Sequence, residues 1–283
     1  MLTQPFVFES MKVAHENCKY RNQITLATTQ FEEDKKIIPA FFKILPNLER
    51  SVVDVKDFPL KRKLPLIKDI LQQAYNFSDS EYIIYTNTDI VLMPFFYDMV
   101  FEYLAAGYDA FAINRRRISK QFFKSKNLNA IYAEVGKSHP GFDCFIFKRS
   151  LIPKMTFANI CVGVPFLEAS ILYNLVAYSN KFKLFYDKHL TIHIGMEVMP
   201  KRNADYYWHN RNEFFKKVLP VLKPNLKSVN LPYSELPFFR RMLNYMLNPA
   251  VFTLISTELE AANIFDKMRL LKDEIRFSIL QKD

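Results

Sequence analysis

Glycine is scarce in this chain, with five residues in 283. Loops that cradle phosphate with backbone amides depend on glycine, and neither a GxxxxGK[ST] loop nor a GxGxxG turn is present. A GxSxG elbow is missing as well. Together these absences disfavour P-loop kinases, dinucleotide-binding dehydrogenases and α/β-hydrolases. Cysteine is scarce too. Cys18, Cys144 and Cys161 are an odd set without CxxC spacing, so nothing supports a zinc knuckle or a redox pair. Reduced thiols in a cytoplasmic protein are the expectation. The N-terminal stretch MLTQPFVFESMKVAHENCKY has neither the charged start nor the apolar centre of a signal peptide. No run approaches the ~20 apolar residues of a spanning helix.

What the chain does contain is a large apolar fraction, 49%, with 27 Phe and 15 Tyr but a single Trp. That length and composition allow one large domain whose core needs no disulfide or metal staple. Lys and Arg outnumber Asp and Glu by 39 to 29, a formal charge of +10. Such a field favours anionic partners, from sugar nucleotides and phosphorylated acceptors to acidic lipid headgroups. The basic residues fall in short clusters, Lys61-Arg62-Lys63 and Arg115-Arg116-Arg117, and no nucleic-acid-binding module is recognisable. Nucleic acid is therefore not an expected partner.

Strand-length apolar runs alternate with helical patterns as far as about residue 195, the signature of an α/β sheet. Strands are expected at Ile24–Thr29, Ser51–Val55, Glu81–Thr86, Tyr108–Ile113, Phe142–Phe147, Phe182–Tyr186 and Leu190–Ile194. Helices are expected at Glu33–Leu45 (with Pro39 inside it), Leu64–Ala74, Phe95–Ala106 closed by Gly107, and Pro165–Tyr178. Further on come helical patterns at Tyr206–Leu219, Phe238–Leu247 and Glu258–Leu280, with a proline-rich connection over Pro220–Pro237. The expected organisation is a catalytic unit over 1–219, with 220–283 as connection and helices on or beside it.

The segment with most chemistry in it is Glu81–Pro94, EYIIYTNTDIVLMP. Thr86-Asn87-Thr88-Asp89 sits between two apolar stretches, where a carboxylate is costly unless something pairs with it. Asn and Asp also favour turns. Asp89 is badly placed as a helix cap, however, and ligands of open α/β sheets gather at the carboxyl ends of strands.

Strand–Asn87-Thr88-Asp89–strand resembles the DxD element of GT-A-fold glycosyltransferases. The resemblance implies a GT-A-like, Rossmann-like mixed and mostly parallel sheet flanked by helices, with a helical C-terminal extension. It implies a nucleotide-diphosphate sugar as donor and Mn²⁺ or Mg²⁺ as cofactor, with Asp89 on the metal and Asn87 near the donor. Asn in the first position departs from the pattern by one carboxylate. His193, in LTIHIG, matches a further metal ligand of that family, although a lone strand histidine is also a common structural residue. Asp143, in SHPGFDCFIF, resembles the segment that meets donor sugar and acceptor, or else it starts its strand. Glu168, in the first turn after Pro165, resembles an acceptor-facing acid, though the helix dipole alone favours Glu there. Asp143 and Glu168 are the candidate catalytic bases. Arg115, Arg116 and Lys63 are candidates for the diphosphate, since arginine forks match phosphate oxygens.

The reading is thus a metal-dependent glycosyltransferase acting on a carbohydrate, lipid-linked or small-molecule acceptor. The alternatives are a sugar-1-phosphate nucleotidyltransferase and a catalytically silent binding protein of the same fold. A cytoplasmic location is expected, with room for a peripheral membrane contact through the basic C-terminal helices. Stereochemistry and oligomeric state have no sequence signal.

Overall fold

The computed structural model describes residues 4–119, 127–186, 188–194, 203–231 and 233–247. Its first element, α1 (Gln4–Asn17), had no counterpart in the sequence expectations. It buries Val7, Phe8, Met11 and Ala14, which share one helical face. Next comes a two-stranded parallel pair, β1 (Ala27–Thr28) and β2 (Lys43–Ile44). The helix expected over Glu33–Leu45 is instead a 3₁₀ turn, Glu32–Ile37, that stops before Pro39. Proline has no amide to donate and clashes with the preceding turn, so the apolar spacing there lost to the backbone. Phe42 and Leu45 are buried all the same. The strand expected at Ser51–Val55 is also a 3₁₀ turn, Val52–Asp54. Ser51 donates from its amide (2.7 Å) and its hydroxyl (2.8 Å) to one Asp54 oxygen, and that cap holds the turn.

The central unit follows the expected order, with the short helix Leu128–Tyr132 in addition. Its helices and strands are α2 (Ile67–Phe77), β3 (Tyr82–Thr86), β4 (Ile90–Leu92), α3 (Phe96–Ala105), β5 (Ala110–Ile118) and α4 (Leu128–Tyr132). They continue with β6 (Lys137–Lys148), α5 (Leu167–Tyr178), β7 (Phe182–Phe185) and β8 (Thr191–Ile194). The sheet runs β3-β6-β5-β8-β4, and β7 pairs with β5 beside β8. It is mixed, as expected, but not mostly parallel. The pairs β3–β6, β5–β6 and β4–β8 are antiparallel, and only β5–β7 and β5–β8 are parallel. Of these, β5 and β6 both outrun their apolar cores, reaching Ile118 and back to Lys137. Strands that turn back on one another need no crossover helix, so they pair antiparallel.

Alternation along β5 sorts its side chains onto two cores. Ala110 and Ala112 face α2, α5 and the later helices, whereas Phe111 and Ile113 face α1 and α3. Helices therefore cover both sides of the sheet. Gly107, at φ +82°, closes α3 as its sequence position implied. Gly136 has a stricter need: it holds φ +62°, and a Cβ there would lie 2.6 Å from the Arg117 carbonyl oxygen. Beyond β8 the chain forms α6 (Ala204–Glu213), a π turn at Phe214–Val218, α7 (Leu219–Leu222) and α8 (Phe238–Leu247). Phe214, Val218, Leu222 and Tyr233 join the core on the α5 side. All three cysteines are buried and free. Among the described residues no helix is long and apolar enough to cross a membrane. The expected helix Glu258–Leu280 lies outside the described residues, as do Gly195, Lys201 and Arg202.

Candidate active site

The turn between β3 and β4 carries Asn87, Thr88 and Asp89. Because β4 pairs with β8, Ile90 lies opposite His193. That register brings the Asp89 carboxylate to the imidazole, with Oδ2 3.3 Å from His193 Nε2. The other oxygen, Oδ1, is shielded from solvent and accepts no hydrogen bond. A buried carboxylate oxygen without a partner is rare enough to require an explanation. Burial works to raise the Asp89 carboxyl, but the hydrogen bond and charge of His193, with Arg115 beyond, outweigh it and hold the group below its ordinary value.

Asp143 does not start its strand. It lies well inside β6, at an irregularity where Ile113 pairs with Cys144 and Asn114 with Phe142. Asp143 is thus the extra residue of a bulge, a device that re-aims one side chain without ending the strand. The bulge sends it into the sheet's rim, 2% exposed. There Arg115 Nη1 donates to its Oδ2 at 2.6 Å and Asn87 Nδ2 donates to its Oδ1 at 3.1 Å. Tyr85, on β3, donates in turn to Asn87 Oδ1 at 3.1 Å. Burial pushes Asp143 above the ordinary carboxylate range, with Arg115 pulling against it and the Asp89 charge adding to it.

Glu168 stands in the first turn of α5. Phe166, which precedes that helix, adopts φ +76°, a left-handed conformation unusual for a bulky residue. Its ring packs among Tyr207, Phe214 and Phe215, which hold the backbone there. Burial, then the negative charge of Asp143, lift the Glu168 carboxyl to about 7, and its own backbone amide and Arg115 only partly offset them. Since the unfolded chain ionises this group near its ordinary 4.5, the folded state is progressively disfavoured as pH rises from that value toward 7. Glu168→Gln should therefore melt above the wild-type protein at pH 8 and lose that advantage by pH 4.5. Melting curves across this range check it, and a pH-independent difference would contradict the placement.

Asn87, Asp89, Arg115, Asp143, Glu168 and His193 thus gather at one rim of the sheet. The other two basic candidates do not join them. Arg116 donates to the carbonyls of Val135 and Gly136, so it braces the approach to β6. Lys63 pairs with Glu33 at 2.7 Å and lies 4.3 Å from the Phe31 ring centroid. Arg115 itself is engaged by Asp143. Sequence reasoning missed Tyr85, which reads as one more apolar strand residue, and it missed the bulge. The two short-range signals for that bulge were an Asp within an apolar strand and Asn114-Arg115 in the strand beside it. Trp208 lies against Tyr207 and Arg211.

No family model matches the sequence, and no curated protein matches it. Among solved structures, S. aureus TarS in complex with UDP-GlcNAc is similar in chain course at 7% identity and a TM-score of 0.47. That match covers 77% of this chain and 64% of the solved TarS chain, which spans its residues 1–349. M. tuberculosis glucosyl-3-phosphoglycerate synthase is 8% identical, with a TM-score of 0.42 and coverage of 79% and 78%. The mannosyltransferase PcManGT from Pyrobaculum calidifontis, in complex with GDP-Man and Mn²⁺, is 15% identical, with a TM-score of 0.42 and coverage of 94% and 76%. These likenesses concern the course of the chain and leave open what this protein binds.

Proposed function

We propose that this chain is a GT-A-like glycosyltransferase that moves a sugar from a nucleotide-diphosphate donor to a hydroxyl acceptor. The observation that carries the reading is the Asp89 carboxylate, held by His193 at the end of β3 with one shielded oxygen unpartnered. A divalent cation suits that oxygen. The donor set is a carboxylate and an imidazole, which fits Mn²⁺ better than the all-oxygen preference of Mg²⁺. Among the described residues no group of three or more His, Cys, Asp or Glu side chains surrounds a common point. Asp89 and His193 would therefore supply two ligands, with diphosphate oxygens and water completing the shell. When bound, the metal would supply Lewis-acid stabilisation of the departing diphosphate.

The other residues divide the remaining work. Asp143 has both oxygens engaged, by Arg115 and Asn87, so it sets the position of those two side chains. Arg115 keeps a positive charge at the rim, where the leaving group gathers negative charge. Glu168, with its carboxyl near 7, is poised to take the proton of an attacking hydroxyl at neutral pH. In this reading Glu168, rather than Asp143, is the base.

Calorimetric titration with UDP, GDP and CDP, each with and without Mn²⁺, tests the proposal. One diphosphate should bind, and Mn²⁺ should tighten it. Absence of heat with all three in the presence of Mn²⁺ would rule the function out.

A further inference from the structure

Tyr186 follows β7 directly and stays 43% exposed in a chain whose other β7 apolar residues face inward. Its strand parity matches Phe182 and Leu184, so it rises on the sheet face that α5 covers. Tyr233 approaches from the segment after α7, its ring centroid 5.3 Å from that of Tyr186 at an interplanar angle of 56°. Tyr233 is itself 7% exposed and belongs to the α5-side core. Its backbone holds φ +61°, a conformation costly for an aromatic residue. The Tyr186 carbonyl accepts a hydrogen bond from Ser138 Oγ at 3.2 Å, which ties the platform to the start of β6.

The register places this pair relative to the acidic cluster. Ile113 of β5 pairs with Phe185, so Tyr186 lies level with Asn114, and Asn114 pairs with Phe142 next to Asp143. Tyr186 and Asp143 are thus two strand positions apart, about 10 Å between backbones. Glu168 lies on the same side of the sheet, since α5 packs there. An exposed aromatic side chain thus stands on the sheet face that carries Glu168, two strands from Asp143.

We propose that Tyr186, backed by Tyr233, is the platform on which an acceptor pyranose stacks. The face of an aromatic ring is electron-rich, and the apolar C–H face of a pyranose is its complement. Rigid aromatic area costs little entropy to order, so one ring can orient a hydroxyl without enclosing the whole acceptor. The ligand class is a glycoside with an unsubstituted C–H face. This assignment rests on the glycosyltransferase reading above, yet it fails or stands by a separate measurement.

Saturation-transfer NMR with methyl glycosides of glucose, mannose, galactose and N-acetylglucosamine, recorded with the full chain, reads the stacking directly. At least one glycoside should receive saturation on its ring C–H protons. Tyr186→Ala should weaken that glycoside about fivefold, and Tyr186→Trp should retain it. Binding of UDP or GDP to both variants should match the wild-type protein, which also confirms that they fold. No saturation of any glycoside by the wild-type protein, or an unchanged affinity in Tyr186→Ala, overturns the platform. Failure of the nucleotide titration alone overturns the glycosyltransferase reading and leaves glycoside stacking to be judged by its own signal.

Discussion

Asp89→Ala should weaken Mn²⁺-dependent binding of the nucleoside diphosphate at least tenfold, about 1.4 kcal/mol, while metal-free binding stays nearly unchanged. The two carboxylate oxygens of Asp89 are unequally placed. Oδ2 has its partner in His193, but Oδ1 is shielded and has none. A fold tolerates an arrangement of that kind when a ligand satisfies it. His193 already stabilises the ionised form, so the carboxylate is charged and ready well below neutral pH. The side chain is also half exposed, which gives a cation access and keeps the pair's contribution to stability small. Alanine should therefore cost binding much more than folding. Calorimetry with and without Mn²⁺ separates the two, with Asp89→Asn as the variant that preserves shape and removes charge. Equal nucleotide affinity with and without Mn²⁺, in wild type and variant alike, would remove Asp89 from metal binding.

Arg115→Met should cost about 3 to 5 kcal/mol of stability at pH 8, the largest structural effect expected of any single change at the rim. Asp143 is 2% exposed and the Arg115 side chain 19%, with 2.6 Å between their nearest atoms. Removing the cation leaves a charge in a place water hardly reaches. Burial already raises the Asp143 carboxyl with Arg115 present, and without the guanidinium it should rise further. Protonation then relieves the strain. The penalty must consequently shrink as pH falls, because a neutral Asp143 no longer needs its partner. Denaturant unfolding of both proteins at pH 5 and pH 8 decides the matter. A deficit of the same size at both values would mean that packing of the arginine stem, not its charge, holds the rim together.

These two expectations differ in how far the chain alone foretold them. Asp89 was legible because chemistry and context agreed: a carboxylate between two apolar strands, past a strand end, has few structural uses. The Asp143–Arg115 pair was not legible as a pair. Each residue drew attention separately, Asp143 as a base and Arg115 as a phosphate ligand. Their partnership depends on a bulge that adds one residue to β6 opposite β5. Local sequence carries no clear mark of register, because register is set by which strands meet and where the cores demand alternation. The same limit explains Arg116 and Lys63. Their charge was plain, but direction was not, and both found carbonyl or carboxylate partners away from the cluster. Near the N-terminus the failures were of another kind. Apolar spacing over Glu33–Leu45 imitated a helix while Pro39 forbade one, and the helical spacing of Val7, Phe8, Met11 and Ala14 in α1 was present yet passed over.

By itself the sequence determined most of the alternation of helices and strands from Ile67 to Ile194 and the placement of Asn87 and Asp89 at a strand end. These follow from periodicity and from the cost of burying polar groups, which act over a few residues. Only the tertiary structure decided that the sheet is largely antiparallel, that His193 meets Asp89, that Arg115 serves Asp143, and that Tyr186 faces outward beside Tyr233. Each of those depends on residues far apart in the chain being brought together, and strand pairing across the whole sheet, not any local preference, makes that choice.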